Sequence, residues 1–223
     1  MAFKKYRFSR IKSGLTGIRK TDIFINLLTS LVLVIRNFLL LIFSPYKTMR
    51  KINQEKDYYQ ILIIASLIFL YFKFIYFLRD KTYPATLIYI LFILNFLLTV
   101  TFFYILSKLF NPNKKKIVFS SFIFTFSYSL FPTLIWFLST SMLYIFLTPP
   151  RTLSLLGKGF SIFFVAYSLS LLIWKLILVY LAIRFSSKQN FFRIFYIIIL
   201  YLTWFIPYSI FLYQFKLFRI PFI

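Results

Sequence analysis

The sequence predicts an all-α fold: a polytopic membrane helical bundle of about five transmembrane helices preceded by an amphipathic interfacial helix. Three observations predict it. The 223 residues are 61% hydrophobic and 14% charged, whereas a soluble domain carries about 45–50% apolar and about 25% charged residues. The apolar residues are gathered into runs of the roughly 20 residues a helix needs to cross a bilayer core. Those runs lack two-residue alternation and exceed the roughly 10 residues of a barrel strand. A mean hydropathy of +0.85 agrees with lipid as part of the solvent. No internal repeat is evident, so inverted-repeat transporter architecture has no support.

Residues 1–58 read as a basic cytoplasmic arm and residues 59–223 as a five-helix membrane domain. The arm opens with Lys4, Lys5, Arg7, Arg10, Lys12, Arg19 and Lys20. A signal peptide fits poorly, because about 22 residues precede any apolar stretch and no small-residue cleavage site follows. Residues 22–43 are long enough to span but include Arg36 and Asn37. On a helical wheel Asp22, Asn26, Thr29, Ser30, Arg36, Asn37 and Ser44 fall within an arc of about 120°. This one-sidedness predicts a helix lying in the interface, apolar face down; a spanning helix with its polar stripe turned to a bundle is the alternative. Ser44-Pro45 should end it, since proline lacks the N–H and disfavours helix before it. Residues 46–58 form a polar, amphipathic linker. Five apolar segments follow at about 59–77, 83–109, 118–148, 160–183 and 191–213, separated by short polar loops.

Charge sets the expected orientation. The chain has 27 Lys and Arg against 4 Asp and Glu. With residues 1–58 inside and five crossings, nineteen of the basic residues fall on the inner side and six on the outer. That asymmetry predicts a cell-membrane protein with a cytoplasmic N-terminus and an outer C-terminus. It also weighs against a spanning 22–43 segment, which would move Lys47, Arg50, Lys51 and Lys56 outside. The basic excess points to anionic headgroups at the N-terminal segment rather than to nucleic acid, because the hydrophobic content already decides the class.

The chain contains no Cys and no His, which removes disulfides, thiolate metal sites and imidazole acid–base chemistry. No G-x-S-x-G, H-E-x-x-H or P-loop pattern occurs. The expectation is a protein that is not an enzyme and holds no cofactor or metal. The candidate residues are therefore intramembrane polar and packing positions. In the third segment Ser121, Thr125, Ser129 and Thr133 recur at every fourth position beside Pro132. A straight helix over this segment would be roughly 46 Å long, so it must tilt, protrude or break. The ridge reads as a packing seam with a proline kink, or as a broken helix lining a path. Ala166 and Ser170 offer a similar face on the fourth segment. Asn95, near Thr99 and Thr101, reads as an interhelical hydrogen-bonding residue. Lys175, beside Trp174, is a functional candidate by its depth, with snorkelling to the inner boundary as the other reading. Lys73 lies closer to a segment end and reads as snorkelling. Pro207 should kink the last helix.

The order of parts resembles a known family. A basic amphipathic segment ends in Ser44-Pro45-Tyr46-Lys47-Thr48-Met49, and five helices follow. The third carries Tyr128, Ser129, Leu130, Phe131 and Pro132. The fourth carries Trp174 and Leu178 and exits through Ser186, Ser187 and Lys188. Over about residues 35–213 this resembles the Yip-one domain family, the Ypt/Rab-interacting multi-pass membrane proteins, in its bacterial or archaeal branch. For the eukaryotic members the resemblance implies small-GTPase binding in membrane traffic. This chain lacks their acidic Asp-Leu-Tyr-Gly-Pro motif and has a basic arm, so a small GTPase is not carried over as a partner. The resemblance implies a non-enzymatic membrane-organising or scaffold role. The competing expectation is a small transporter or channel subunit with a polar path through helices two to four. Homo- or hetero-oligomerisation stays open.

Overall fold

The computed structural model describes residues 20–55, 57–78, 84–111, 117–146 and 157–215, and every regular element among them is an α-helix. In chain order these are α1 (Lys20–Phe43), α2 (Pro45–Glu55), α3 (Tyr58–Leu78), α4 (Ala85–Leu109), α5 (Phe119–Ser129), α6 (Phe131–Phe146), α7 (Gly157–Ser187) and α8 (Phe191–Gln214). The cations expected at Lys4 to Arg19, Lys56, Arg79, Lys81, Lys114 to Lys116, Arg151, Lys216 and Arg219 lie outside the described residues. The helical membrane bundle is as expected. Among the described residues six helical stretches have the length and composition to cross a membrane: the five expected and Ile25–Phe43 within α1.

Local chemistry explains the breaks. Pro45 opens α2, where a helix needs no N–H, and Thr48 N–H already reaches the Ser44 carbonyl at 3.1 Å. Residues 46–55, expected as a linker, are thus helical. Asp57 caps α3: its Oδ1 accepts from Tyr59 N–H at 3.1 Å and its carbonyl from Gln60 N–H at 3.2 Å, in the manner of an acidic N-cap. The third apolar segment is broken into α5 and α6 at Leu130, whose N–H turns back to Ser127 O at 3.4 Å. Two residues on, Pro132 has no N–H for the Tyr128 carbonyl, which is why the helix yields there. Pro207 lies inside α8, which continues through it.

α5 is the centre of the molecule. Phe124 and Tyr128 on one side belong to a core built with α1, α2, α3, α4, α6 and α7. Phe122 and Phe126 on the other side belong to a second core with α4, α7 and α8. Of the best span window in Phe119–Leu143, 67% is buried, against 11% for Ile162–Ser187. The outer surface is the reverse of a soluble protein's: Ile25, Val32, Ile35, Ile162, Phe163, Val165, Ile206 and Ile210 are all exposed. Contiguous exposed apolar surface of this extent marks a lipid-facing wall.

α1 and α2 form an antiparallel hairpin. Arg36 on α1 meets Glu55 at the end of α2, and Ser30 meets Asp57 just beyond it. Near its middle α1 touches the α5–α6 break: Asn37 bonds Tyr128, and Phe38 stacks on Phe131 with ring centroids 4.3 Å apart. α3 runs beside α5 and α6 in the same sense, with Tyr58 against Phe124 and Tyr71 stacked on Phe137. Ser30 lies roughly 20 Å before the end of α1 at 1.5 Å per residue. It nevertheless touches the residue that starts α3. The hairpin therefore brings the chain back to the end of the bundle at which that part of α1 began. Its polar stripe was expected to face headgroups. Ser30 and Asn37 instead turn inward and are buried, while Val32, Ile35, Leu39 and Ile42 face outward.

Candidate functional site

The polar residues of the hairpin make one continuous network with α3 and α5. Lys51 Nζ and Arg36 Nη2 both reach Glu55 Oε1, at 3.4 and 3.5 Å. Arg36 Nη2 also donates to Asn37 Oδ1 at 3.4 Å. Asn37 Nδ2 donates to the Tyr128 hydroxyl at 3.2 Å, and that hydroxyl donates to Gln60 Oε1 at 2.5 Å. Gln60 Nε2 donates to Asp57 Oδ2 at 3.4 Å, which also accepts from Ser30 Oγ at 2.6 Å. Two cations and two anions balance within this network. Buried polar groups are costly without partners; Asn37, Gln60 and Tyr128 partner one another in sequence, while Arg36 Nε and Glu55 Oε2 are buried without a hydrogen bond.

A second group joins α2 to the ends of α5 and α7. Asn53 Nδ2 donates to the Phe185 carbonyl at 3.0 Å. That carbonyl lies in the last turn of α7, where no intrahelical donor remains. Ser121 Oγ donates to Asn53 Oδ1. Thr125 Oγ1 and Ser186 Oγ lie 2.9 Å apart. In the same way Gln189 Nε2 reaches the Ser107 carbonyl at 2.7 Å near the end of α4. The side-chain amides of Asn53 and Gln189 thus cap carbonyls near the ends of α7 and α4.

The structure brings together two of the sequence candidates, Ser121 and Thr125, at a helix junction. Ser121 and Thr125 sit side by side in the α2–α5–α7 junction. Ser129 is buried on the same helix but bonds its own backbone, Phe126 O, at 2.7 Å. Pro132 and Thr133 are buried in the first turn of α6. Asn95 is on α4, where its Oδ1 accepts from the Tyr208 hydroxyl of α8 at 2.6 Å. One turn away Thr99 Oγ1 and Tyr201 Oη are 3.1 Å apart. Lys175 is half-buried on α7, next to Trp174, whose ring meets Phe131. Lys73 is exposed, with Nζ 5.5 Å from the Phe69 ring centre. Ala166 and Ser170 are both exposed.

Sequence reasoning missed the continuous polar network of Ser30, Arg36, Asn37, Lys51, Glu55, Asp57, Gln60 and Tyr128. The signal was the one-sided stripe of residues 22–43 together with two acids in the following segment. Arg36 and Glu55 were visible as opposite charges about twenty residues apart, but only the hairpin turn at Ser44-Pro45 makes them neighbours. Among the described residues no three of Asp, Glu, His or Cys come together as metal ligands would.

Comparison with protein-family models, with curated proteins and with solved structures finds no match to this chain. The protein is an integral membrane protein by its apolar helices. Its resemblance to the Yip-one family rests on the residues quoted above alone.

Proposed function

We propose that the protein is a non-enzymatic membrane-organising scaffold of the Yip-one type. In this reading five helices cross the membrane, α3, α4, α5 with α6, α7 and α8, and the α1–α2 hairpin is seated on their cytoplasmic end. One observation carries it: α2, the most hydrophilic helix, is bonded to the bundle on one face and presents cations on the other. Thr48, Met49 and Ile52 are buried, whereas Lys47, Arg50, Lys51 and Gln54 are exposed. A fixed cationic shelf at a membrane surface is suited to gathering anionic lipid or an acidic partner, at about 1 kcal/mol per basic residue near the surface.

The hairpin geometry supports the five-crossing topology, because Ser30 of α1 lies against Asp57 at the end of the bundle where α3 starts. The distribution of Lys and Arg then keeps its inner bias, with a cytoplasmic N-terminus and an outer C-terminus. The pairing of Asn95 with Tyr208 and of Thr99 with Tyr201 supports a packed interior over a conduit, since each polar group is satisfied by a neighbouring helix.

Substituted-cysteine accessibility tests this reading, and the chain has no native Cys. Single cysteines at positions 95, 125, 129, 133, 171 and 175 are probed in intact membranes with an impermeant thiol reagent and denatured controls. The scaffold reading expects silence at all six and labelling in the loops. Labelling along one continuous face would replace it with a transporter or channel.

A further inference from the structure

Arg184 stands apart from the other cations at this end of the molecule. It lies in the last turn of α7 and is exposed, yet its guanidinium is held in place. Its Cζ lies 5.5 Å from the Tyr46 ring centre and 6.0 Å from the Tyr180 ring centre. Its Nη1 donates to the Tyr180 hydroxyl at 3.1 Å. The two tyrosines are themselves braced: Tyr46 packs edge-on against Phe185 at 5.0 Å, and Tyr180 against Phe191 at 5.7 Å.

A long flexible cation at a membrane surface ordinarily gives up rotamer freedom on binding. Arg184 is already ordered by its aromatic bracket, and four N–H groups remain beyond the one given to Tyr180. A planar guanidinium in this state matches a phosphate in a bidentate fork. The surroundings favour a lipid headgroup. Tyr46, Phe191 and Phe192 are exposed beside the site and offer ring surface to glycerol and upper acyl carbons, as aromatic residues do at the bilayer boundary. Lys188, one turn beyond Arg184, and Lys47, next to Tyr46, are exposed and add positive charge. The nearest acid along α2, Glu55, is engaged by Arg36 and Lys51.

We propose that Arg184, clasped between Tyr46 of α2 and Tyr180 of α7, binds the phosphate of an anionic phospholipid, with Lys188 and Lys47 selecting net negative charge. The site bridges the hairpin to the bundle, so a bound lipid stabilises the seated hairpin. This goes beyond the scaffold reading and does not require it: a water-filled path between α4 and α7 would leave the site intact.

The test is native mass spectrometry of the detergent-purified full chain, titrated with dioleoyl phosphatidylglycerol or dioleoyl phosphatidylcholine. The wild type should retain the phosphatidylglycerol adduct and lose the phosphatidylcholine adduct at lower activation. Arg184→Gln should weaken the phosphatidylglycerol adduct by about tenfold, the equivalent of one charge-assisted hydrogen bond. Arg184→Lys, which keeps charge without the fork, should fall between. Arg193→Gln removes an exposed cation from the first turn of α8 and should leave the adduct within about twofold, as a surface charge change does. Equal loss in Arg184→Gln and Arg193→Gln would overturn the proposal in favour of a diffuse charge effect. So would equal retention of the two lipids. Displacement of the adduct by millimolar inorganic phosphate would assign the fork to a soluble anion instead. Unchanged thermal melting of the lipid-free variants separates lost binding from lost fold.

Discussion

Tyr128 is where the hairpin reaches the interior. Its ring lies fully buried on α5, against Phe38 of α1 at 5.4 Å. Its hydroxyl accepts from Asn37 and donates to Gln60, so one oxygen links three helices. Tyr128→Phe keeps the ring and removes that link, leaving a buried amide donor and a buried amide acceptor short of partners. The expected cost is about 1–3 kcal/mol of stability, read as lowered resistance to denaturant unfolding in detergent. Combining it with Gln60→Leu should cost less than the two single changes summed, because each already breaks the same bond. Additive losses would mean the bond contributes nothing. Tyr128 was legible in the sequence only as part of a Tyr-Ser-x-x-Pro stretch. Nothing local marks a tyrosine in an apolar helix as a junction, since its partners lie 68 and 91 residues away.

At the scale of elements, α2 is the helix on which the account turns. Its two faces make opposite predictions. Met49 is fully buried in the core shared with α1, α3 and α5, so Met49→Ala should cost about 2–5 kcal/mol through lost contacts and a residual cavity. Arg50, its exposed neighbour, should tolerate alanine within about 0.5 kcal/mol. Thermal melting of the two variants in the same detergent checks the contrast, and comparable melting would place α2 free of the bundle. The long helices were legible because apolar runs and prolines bound them: α3 occupies 58–78 where 59–77 was expected, and α8 occupies 191–214 where 191–213 was expected. The break near Pro132 was legible too. The seating of α1 was not. A helical wheel identifies a face that carries Ser30 and Asn37, but headgroups and a protein interior both satisfy polar side chains. Only the register of Ser30 against Asp57 and of Asn37 against Tyr128 tells them apart.

For the whole molecule, α5 is buried among the surrounding helices, and the α1–α2 hairpin bonds to the end at which α3 and α5 begin. Polar groups are concentrated at that end, where α2 and α3 meet α5 and α7. The intramembrane candidates Asn95, Ser129, Thr133 and Lys175 lie on α4, α5, α6 and α7 respectively. Ser121 and Thr125 belong to that end. They were legible as a ridge of small hydroxyls; their partners Asn53 and Ser186 were not, because both lie outside the ridge's own helix. The most direct measurement is disulfide trapping between α2 and α5. Cysteines replace Asn53 and Ser121 in the full chain, a protease site is placed within residues 112–116, and oxidised native membranes are cut and run without reductant. A seated hairpin keeps the two fragments joined, whereas a control pairing Arg50→Cys with Ser121→Cys releases them. Release in both cases, with each cysteine reactive after denaturation, would contradict the seated hairpin and with it the scaffold built on it.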